Sequence, residues 1–134
     1  MIVLDASVIL KWIFGDEDGG NKALRWKNDH AAGSETIAVP DLLFYEVANA
    51  LATKTRLSKE DVAEAFSLLW DFKLERFDFG KEEFLSAMFL SKEYAITLYD
   101  AAYIELACRL DCLFITADKK LYDKARELKT VALL

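Results

Sequence analysis

The stretch M-I-V-L-D-A-S-V-I-L-K-W, residues 1–12, decides the start of the fold and supplies the first candidate functional residue. Residues 2–4 form a continuous apolar run, which is typical of a strand buried on both faces of a parallel sheet. Asp5 follows at once, and an ionised carboxylate there is costly unless a cation or several donors replace its water. The structural alternative is that Asp5 caps a helix that begins near Ser7.

Composition bounds the class of protein. A chain of 134 residues with 54% hydrophobic and 30% charged residues predicts one globular domain, residues 1–134, with a packed core. Charge breaks every apolar run well before the ~20 residues that cross a bilayer, so we expect no membrane span, no signal peptide and a cytoplasmic location. The net charge of −6 argues against a broad basic face for nucleic acid, although bound divalent cations would reverse the local field at a carboxylate cluster.

The sulfur and imidazole side chains are too few for a zinc site. Cys108 and Cys112 lie four residues apart, and His30 is the one histidine of the chain. Zinc would need about four such ligands, so we interpret the cysteines as small core residues.

Strands and helices alternate along the chain. Besides residues 2–4, strands are predicted over residues 36–39, 73–79, 113–115 and 130–134, and helices over residues 7–14, 22–30, 42–54, 58–71, 82–94, from 97 onward and 119–129, with a clear loop at 15–21. Pro40 ends the second strand, and Asp41 is well placed to cap the next helix. Continuous apolar strands in this alternation predict an α/β fold, with a mostly parallel sheet of about five strands covered by helices on both faces.

Two acids lie on predicted helices. Glu46 shares a polar stripe with Asn49 and Thr53, although the surrounding segment L-L-F-Y-E-V-A-N-A-L is apolar. Asp100 lies three residues after Thr97, so a capping box is the structural alternative for that acid.

A fourth acid, Asp118, repeats the pattern of the N-terminus, because an apolar strand leads to Thr116, then the acid, then a helix. Glu105 is excluded, since five residues after Asp100 it is rotated by about 140° around the helix.

Asp5 and Asp118 each follow a strand, so in neighbouring parallel strands they would lie at one edge of the sheet, where ligand sites form. Glu46 and Asp100 would complete the group from adjoining helices. Four clustered carboxylates require cations, and hard oxygen ligands suit Mg²⁺ or Mn²⁺. The sequence therefore predicts metal-assisted phosphodiester hydrolysis, which needs no histidine.

The chain resembles the PIN-domain ribonucleases, and most of all the VapC-type toxins of toxin-antitoxin pairs. Four segments carry the likeness in the family's order: I-V-L-D-A-S-V-I-L-K, P-D-L-L-F-Y-E-V-A-N-A-L, L-Y-D-A-A-Y-I-E-L-A and F-I-T-A-D-K-K-L. The resemblance implies a three-layer α/β/α sandwich that cuts RNA with Mg²⁺ or Mn²⁺. It also implies a homodimer and a cognate antitoxin whose tail lies in a groove near the site.

The same resemblance assigns roles to named residues. Asp5 and Asp100 would be the main metal ligands and catalytic residues, with Glu46 and Asp118 helping directly or through water. Hydrogen bonds from three further residues would support these acids: Ser7, Asn49 and Thr116.

The chain departs from the family pattern after the fourth acid. Many relatives carry a further acid shortly beyond it, whereas this chain has Lys119 and Lys120 there. That leaves a second metal position open, and it offers two lysines to a substrate phosphate.

Two other functions are compatible with part of the sequence. A phospho-acceptor module of receiver type shares the size and sheet, but Asp5 has no adjacent acid and Lys129 precedes the last strand. A non-catalytic PIN-like binding protein would use exposed aromatic residues such as Trp12, Phe14 and Tyr45 against a partner.

Overall fold

The computed structural model describes residues 1–15 and 18–134; Asp16 and Glu17, inside the predicted loop, lie outside the described residues. The strands are β1 (Ile2–Leu4), β2 (Ile37–Pro40), β3 (Glu75–Phe77), β4 (Leu113–Thr116) and β5 (Val131–Leu133). The helices are α1 (Ala6–Phe14), α2 (Gly20–Ala31), α3 (Leu42–Thr53), α4 (Lys59–Asp71), α5 (Lys81–Tyr94), α6 (Leu98–Arg109) and α7 (Lys119–Ala125).

The five strands form one parallel sheet in the order β3-β2-β1-β4-β5. The central strand β1 is buried along its whole length, as its apolar run predicts. Leu4 pairs with Ile115, so the residues that follow β1 and β4 emerge side by side at the carboxyl edge. The predicted parallel α/β sheet is confirmed.

Helices cover both faces of this sheet. Contacts join α1 to α2, α1 to α3 and α3 to α4, while α5 packs on α6 and α6 lies against β1, β2 and β4. Because parallel crossovers are right-handed, α1–α4 cover one face and α5–α7 the other. The sequence thus folds as a three-layer sandwich with the sheet in its core.

Two local predictions need correction. The last helix ends at Ala125 and not at Lys129, because the chain turns there to bring Val131 beside Phe114. Asp41 does not cap α3 through its side chain; its backbone is already helical, at φ −53° and ψ −28°, and its carboxylate accepts from Arg76 on β3 at 2.9 Å. The ion pair across two strands outcompetes the local cap.

The histidine and the cysteines have no catalytic environment. His30 lies in the last turn of α2, where its Nδ1 accepts from the Ile37 N–H at 3.1 Å and its ring packs on Phe72. Both cysteines are free, and Cys108 is exposed near the end of α6 rather than in the core, while Cys112 is half-buried. None of the described helices is long and apolar enough to span a bilayer.

Candidate active site at the carboxyl edge of the sheet

Asp5 is the buried acid of the site. Only 5% of the residue is exposed, and it lies directly beyond the central strand. Ser7 donates to Oδ1, Thr116 donates to Oδ2 at 2.5 Å, and the Val8 N–H donates to Oδ1 at 3.2 Å. Asp5 is therefore the N-cap of α1 as well, so the capping interpretation and the functional one describe the same side chain.

Hydrogen bonds only partly compensate the Asp5 charge. Burial raises the pKa of Asp5 from 3.8 to about 6, and repulsion by the Glu46 carboxylate adds to the rise. Donors from Ser7, Thr116 and Val8 oppose that rise by stabilising the ionised form. A carboxylate whose ionised form is this costly in the folded chain would gain from a nearby cation.

The hydroxyls of Ser7 and Thr116 join the ends of β1 and β4. Ser7 Oγ accepts from the Ala117 N–H at 2.9 Å, and Thr116 Oγ1 accepts from the Asp118 N–H at 3.0 Å. The winding of the sheet reverses between β1 and β4, because β2 lies on one side of β1 and β4 on the other. Open α/β sheets bind ligands in the crevice at such a point.

Glu46 extends the site from α3. It is half-buried, and its Oε1 accepts from the hydroxyl of Tyr103 at 2.6 Å. Burial raises the Glu46 pKa, the Tyr103 bond lowers it, and the charge of Asp100 raises it again. Glu46 therefore stands electrostatically between Asp5 and Asp100.

Asp100 and Asp118 complete the row of acids. Thr97 Oγ1 accepts from the Asp100 N–H at 3.1 Å. Burial raises the pKa of the half-buried Asp100 carboxylate, a hydrogen bond with Thr97 lowers it, and the Asp118 charge raises it again. Asp118 is exposed, and its Oδ1 caps α7 by accepting from the N–H groups of Lys120 and Leu121 at 2.9 and 3.1 Å. Capping occupies one Asp118 oxygen.

The four acids form a row of electrostatic neighbours: Asp5 with Glu46, Glu46 with Asp100, and Asp100 with Asp118. Within residues 1–15 and 18–134, no three Asp, Glu, His or Cys side chains converge closely enough to hold one metal ion together. The donor set still fits Mg²⁺ or Mn²⁺, which take oxygen ligands and commonly use one or two carboxylates with water completing the shell. That all four acids share one ion stays a prediction.

Of the other residues discussed from the sequence, some contact the row of acids in the structure and others do not. Ser7 and Thr116 each donate a hydrogen bond to the Asp5 carboxylate. Asn49 is exposed on α3, and its side chain forms no hydrogen bond with another described residue, so its supporting role stays a prediction. Glu105 pairs with Arg109 at 3.1 Å and takes no part in the row of acids.

Two side chains of the site escaped the sequence reasoning. Tyr103 is 1% exposed and stacks on Phe114, which resembles an ordinary core role, yet its hydroxyl holds Glu46. The available sign was its position three residues after Asp100, on the same helix face. The sequence places Lys124 only in a predicted helix, whereas in the structure its charge lowers the pKa of Asp100.

Comparison with known proteins gives matches over nearly the whole chain. Residues 2–127 match the family model described as "PIN domain". The chain is 29% identical over 133 residues to Ribonuclease VapC3 of Pyrobaculum aerophilum, covering 96% of this chain and 98% of that protein.

Solved structures share the fold. One is a toxin-antitoxin complex from Klebsiella pneumoniae, with a TM-score of 0.72 and 14% identity over 98% of this chain and 96% of that one. Another is VapBC2 from Rickettsia felis, bound to a DNA fragment from their promoter, with a TM-score of 0.72 and 18% identity over 100% of this chain and 98% of that one.

Proposed function

This chain belongs to the PIN domain family, and we propose that it is a divalent-metal-dependent ribonuclease, the toxin of a VapBC-type toxin-antitoxin pair. The observation that carries the proposal is the row of acids at the switch point of the sheet, headed by an Asp5 whose charge is only partly compensated. The similarity to a ribonuclease over nearly the whole chain supports the same chemistry.

Each residue of the row has a part in that chemistry. Asp5 and Asp100 would hold Mg²⁺ or Mn²⁺, with Glu46 and Asp118 assisting directly or through water. Such an ion lowers the pKa of the attacking water and neutralises charge on the phosphate and leaving oxygen.

The supporting hydrogen bonds fix these acids in place. Ser7 and Thr116 hold both oxygens of Asp5, and Tyr103 holds one oxygen of Glu46 and leaves the other for binding or for accepting a proton from water. The site contains no histidine, and Asp5 and Asp100 would hold the ion, so Glu46, whose pKa burial raises, is the half-buried carboxylate left to accept a proton.

Cleavage of labelled single-stranded RNA tests the proposal, with Mg²⁺ or Mn²⁺ compared against a chelator. We expect metal-dependent cleavage by the wild-type chain and a loss of about a thousandfold or more in Asp5→Asn and Asp100→Asn. Asp71→Asn, at the exposed end of α4, is the matched control and should keep full activity.

Calorimetry with Mn²⁺ separates the ways in which the proposal can fail. Wild-type chain that binds neither Mn²⁺ nor RNA would leave a non-catalytic PIN-like binding protein as the better description. Unchanged cleavage in Asp5→Asn or Asp100→Asn would remove that acid from the mechanism. Circular dichroism of each variant checks that the fold is intact.

An antitoxin has a suitable groove beside the site. A cavity of about 520 Å³ is lined by Tyr45, Tyr99 and Phe84 together with the carboxylates of Asp41 and Asp78. Tyr45 precedes Glu46, and Tyr99 precedes Asp100, so the groove adjoins the row of acids; its aromatic rings and two acids suit an apolar segment that carries a basic residue.

The proposal also includes a homodimer, a cytoplasmic location and a cognate antitoxin as partner. Light scattering of the purified chain checks the dimer, and co-purification with the product of the adjoining reading frame checks the antitoxin.

The strand order of the sheet argues against the receiver-type alternative. Flavodoxin-like receivers use the strand order 2-1-3-4-5, whereas this sheet runs β3-β2-β1-β4-β5. Asp5 also has no neighbouring acid in sequence, which a phospho-acceptor site would need.

A further inference from the structure

A second cleft opens from the row of acids toward α7. It measures about 370 Å³, and its walls include Thr97, Asp100, Asp118, Lys120 and Lys124. Two acids of the candidate site thus share one cavity with two lysines, and both lysines come from the same short helix.

Lys120 and Lys124 differ from the neighbouring Lys119 in the groups that their ammonium groups contact. Lys124 Nζ donates to the carbonyl of Ala95 at 3.0 Å, which holds the ammonium at the rim of the cleft beside Asp100. Neither Lys120 nor Lys124 forms an ion pair with another described residue. Lys119 is instead neutralised by Asp123 on the next turn and lies over the ring of Tyr122.

The balance of charge indicates what this cleft receives. The chain carries a net charge of −6, so a polyanion approaching the acids needs cations at the point of contact. Two lysines that form no ion pair with another described residue, placed on the wall of a cavity that opens onto Asp100 and Asp118, supply them there.

We infer that this cleft binds a backbone phosphate of single-stranded RNA next to the one that is cut, with Lys120 and Lys124 as the positioning residues. The inference rests on the proposed function and deepens it, because it gives the path of the strand away from the site. Lys120 and Lys124 neutralise the phosphate and hold the strand while the acids act on the neighbouring linkage.

Fluorescence anisotropy with labelled single-stranded RNA tests this inference, in a chelator and across a salt series. No cleavage step enters the measurement, so it can fail independently of the nuclease assignment. We expect Lys120→Gln and Lys124→Gln each to weaken binding roughly threefold to tenfold, and the double variant to lower the slope of log affinity against log salt by about 1.4.

Control variants with the same change of net charge separate an effect of the two cleft lysines from an effect of total charge. Lys129→Gln, before β5 at the opposite edge of the sheet, combined with Lys59→Gln on α4, removes the same number of charges from exposed positions elsewhere and should leave the affinity within twofold. Arginine at positions 120 and 124 should restore binding, because the guanidinium also contacts phosphate. In the presence of Mn²⁺, the double glutamine variant should raise KM and leave kcat nearly unchanged.

Equal weakening by the cleft pair and the control pair would overturn the inference, because it would mean that only net charge matters. RNA affinity unchanged in the double glutamine variant would overturn it as well. Tight binding of inorganic phosphate by calorimetry, together with unchanged RNA binding, would mean that the cleft takes free phosphate and not a strand.

Discussion

Asp5 and Asp41 occupy equivalent positions in the sheet but differ in burial and in the charge of their partners. Asp5 follows β1 and Asp41 follows β2, each at the carboxyl edge of the sheet and just before a helix. Asp5 is 5% exposed and its hydrogen-bond donors are the neutral groups of Ser7, Thr116 and Val8. Asp41 has a side chain 38% exposed and an ion pair with Arg76 at 2.9 Å.

The contrast appears in the pKa values. Burial raises the pKa of Asp5 to about 6, whereas the hydrogen bond with Asp78 and the guanidinium of Arg76 lower the pKa of Asp41. A strand end alone therefore does not make an acid a candidate ligand. The acid that lacks a cation within the described chain has something to gain from a bound one.

The largest expected effect is on the pH dependence of stability at Asp5. The folded pKa lies above the unfolded value, so protonation favours the fold, and wild-type stability should fall as pH rises from about 4 past 6. Because asparagine does not titrate, Asp5→Asn should gain on the order of 3 kcal/mol relative to wild type between pH 3 and pH 8. Urea unfolding in a chelator measures it.

The same substitution is expected to abolish cleavage, so stability and activity would move in opposite directions at one residue, as at other strained functional sites. If the free energy of unfolding depends on pH in the same way in wild type and in Asp5→Asn over that range, then burial of the ionised Asp5 does not destabilise the fold. Glu46 and Asp100 titrate in both proteins, and taking the difference between the two curves largely removes their contribution.

A smaller effect is expected at Thr116, whose hydroxyl is fully buried and donates to Asp5. Thr116→Val keeps the shape and removes the donor, which should cost about 2 kcal/mol at neutral pH. Thr116→Ser keeps the hydroxyl and serves as the matched control.

The two Thr116 variants also separate packing from electrostatics. Losing the donor raises the Asp5 pKa further, so the acidic limb of the cleavage-rate profile should shift to higher pH in the valine variant and not in the serine variant. Equal shifts in both would assign Thr116 to packing alone.

The sequence predicts the frame of this site better than its details. The apolar strands with acids after them predict that Asp5 and Asp118 lie at one edge of the sheet, because neighbouring parallel strands end there. Helix starts with a strictly local signal were also correct, as in the Ser58 side chain that accepts from the Asp61 N–H.

The predictions that were wrong or incomplete depended on contacts between residues far apart in the chain. The cap prediction for Asp41 is wrong because a local pattern cannot place Arg76, thirty-five residues away, beside it. Tyr103 looked like core because its ring is buried against Phe114, and only the fold shows its hydroxyl reaching Glu46. The metal shell itself depends on distances between side chains, which periodicity does not give.

The smallest effect on the free energy of unfolding is expected at Asp41, the more exposed of the two acids. Asp41→Asn removes a solvent-screened ion pair and should lower the free energy of unfolding by less than about 1 kcal/mol at pH 7. Its folded pKa is lowered, so whatever stabilisation it gives is present above the unfolded value of 3.8 and lost as pH falls through the folded one, the reverse of Asp5. Arg76 keeps its stacking on Phe44 and Trp70, at 4.6 and 4.5 Å, which limits the loss further. Urea unfolding over the same pH range tests this, and a loss at Asp41 as large as the effect at Thr116 would contradict the view that burial, and not position at a strand end, sets these energies.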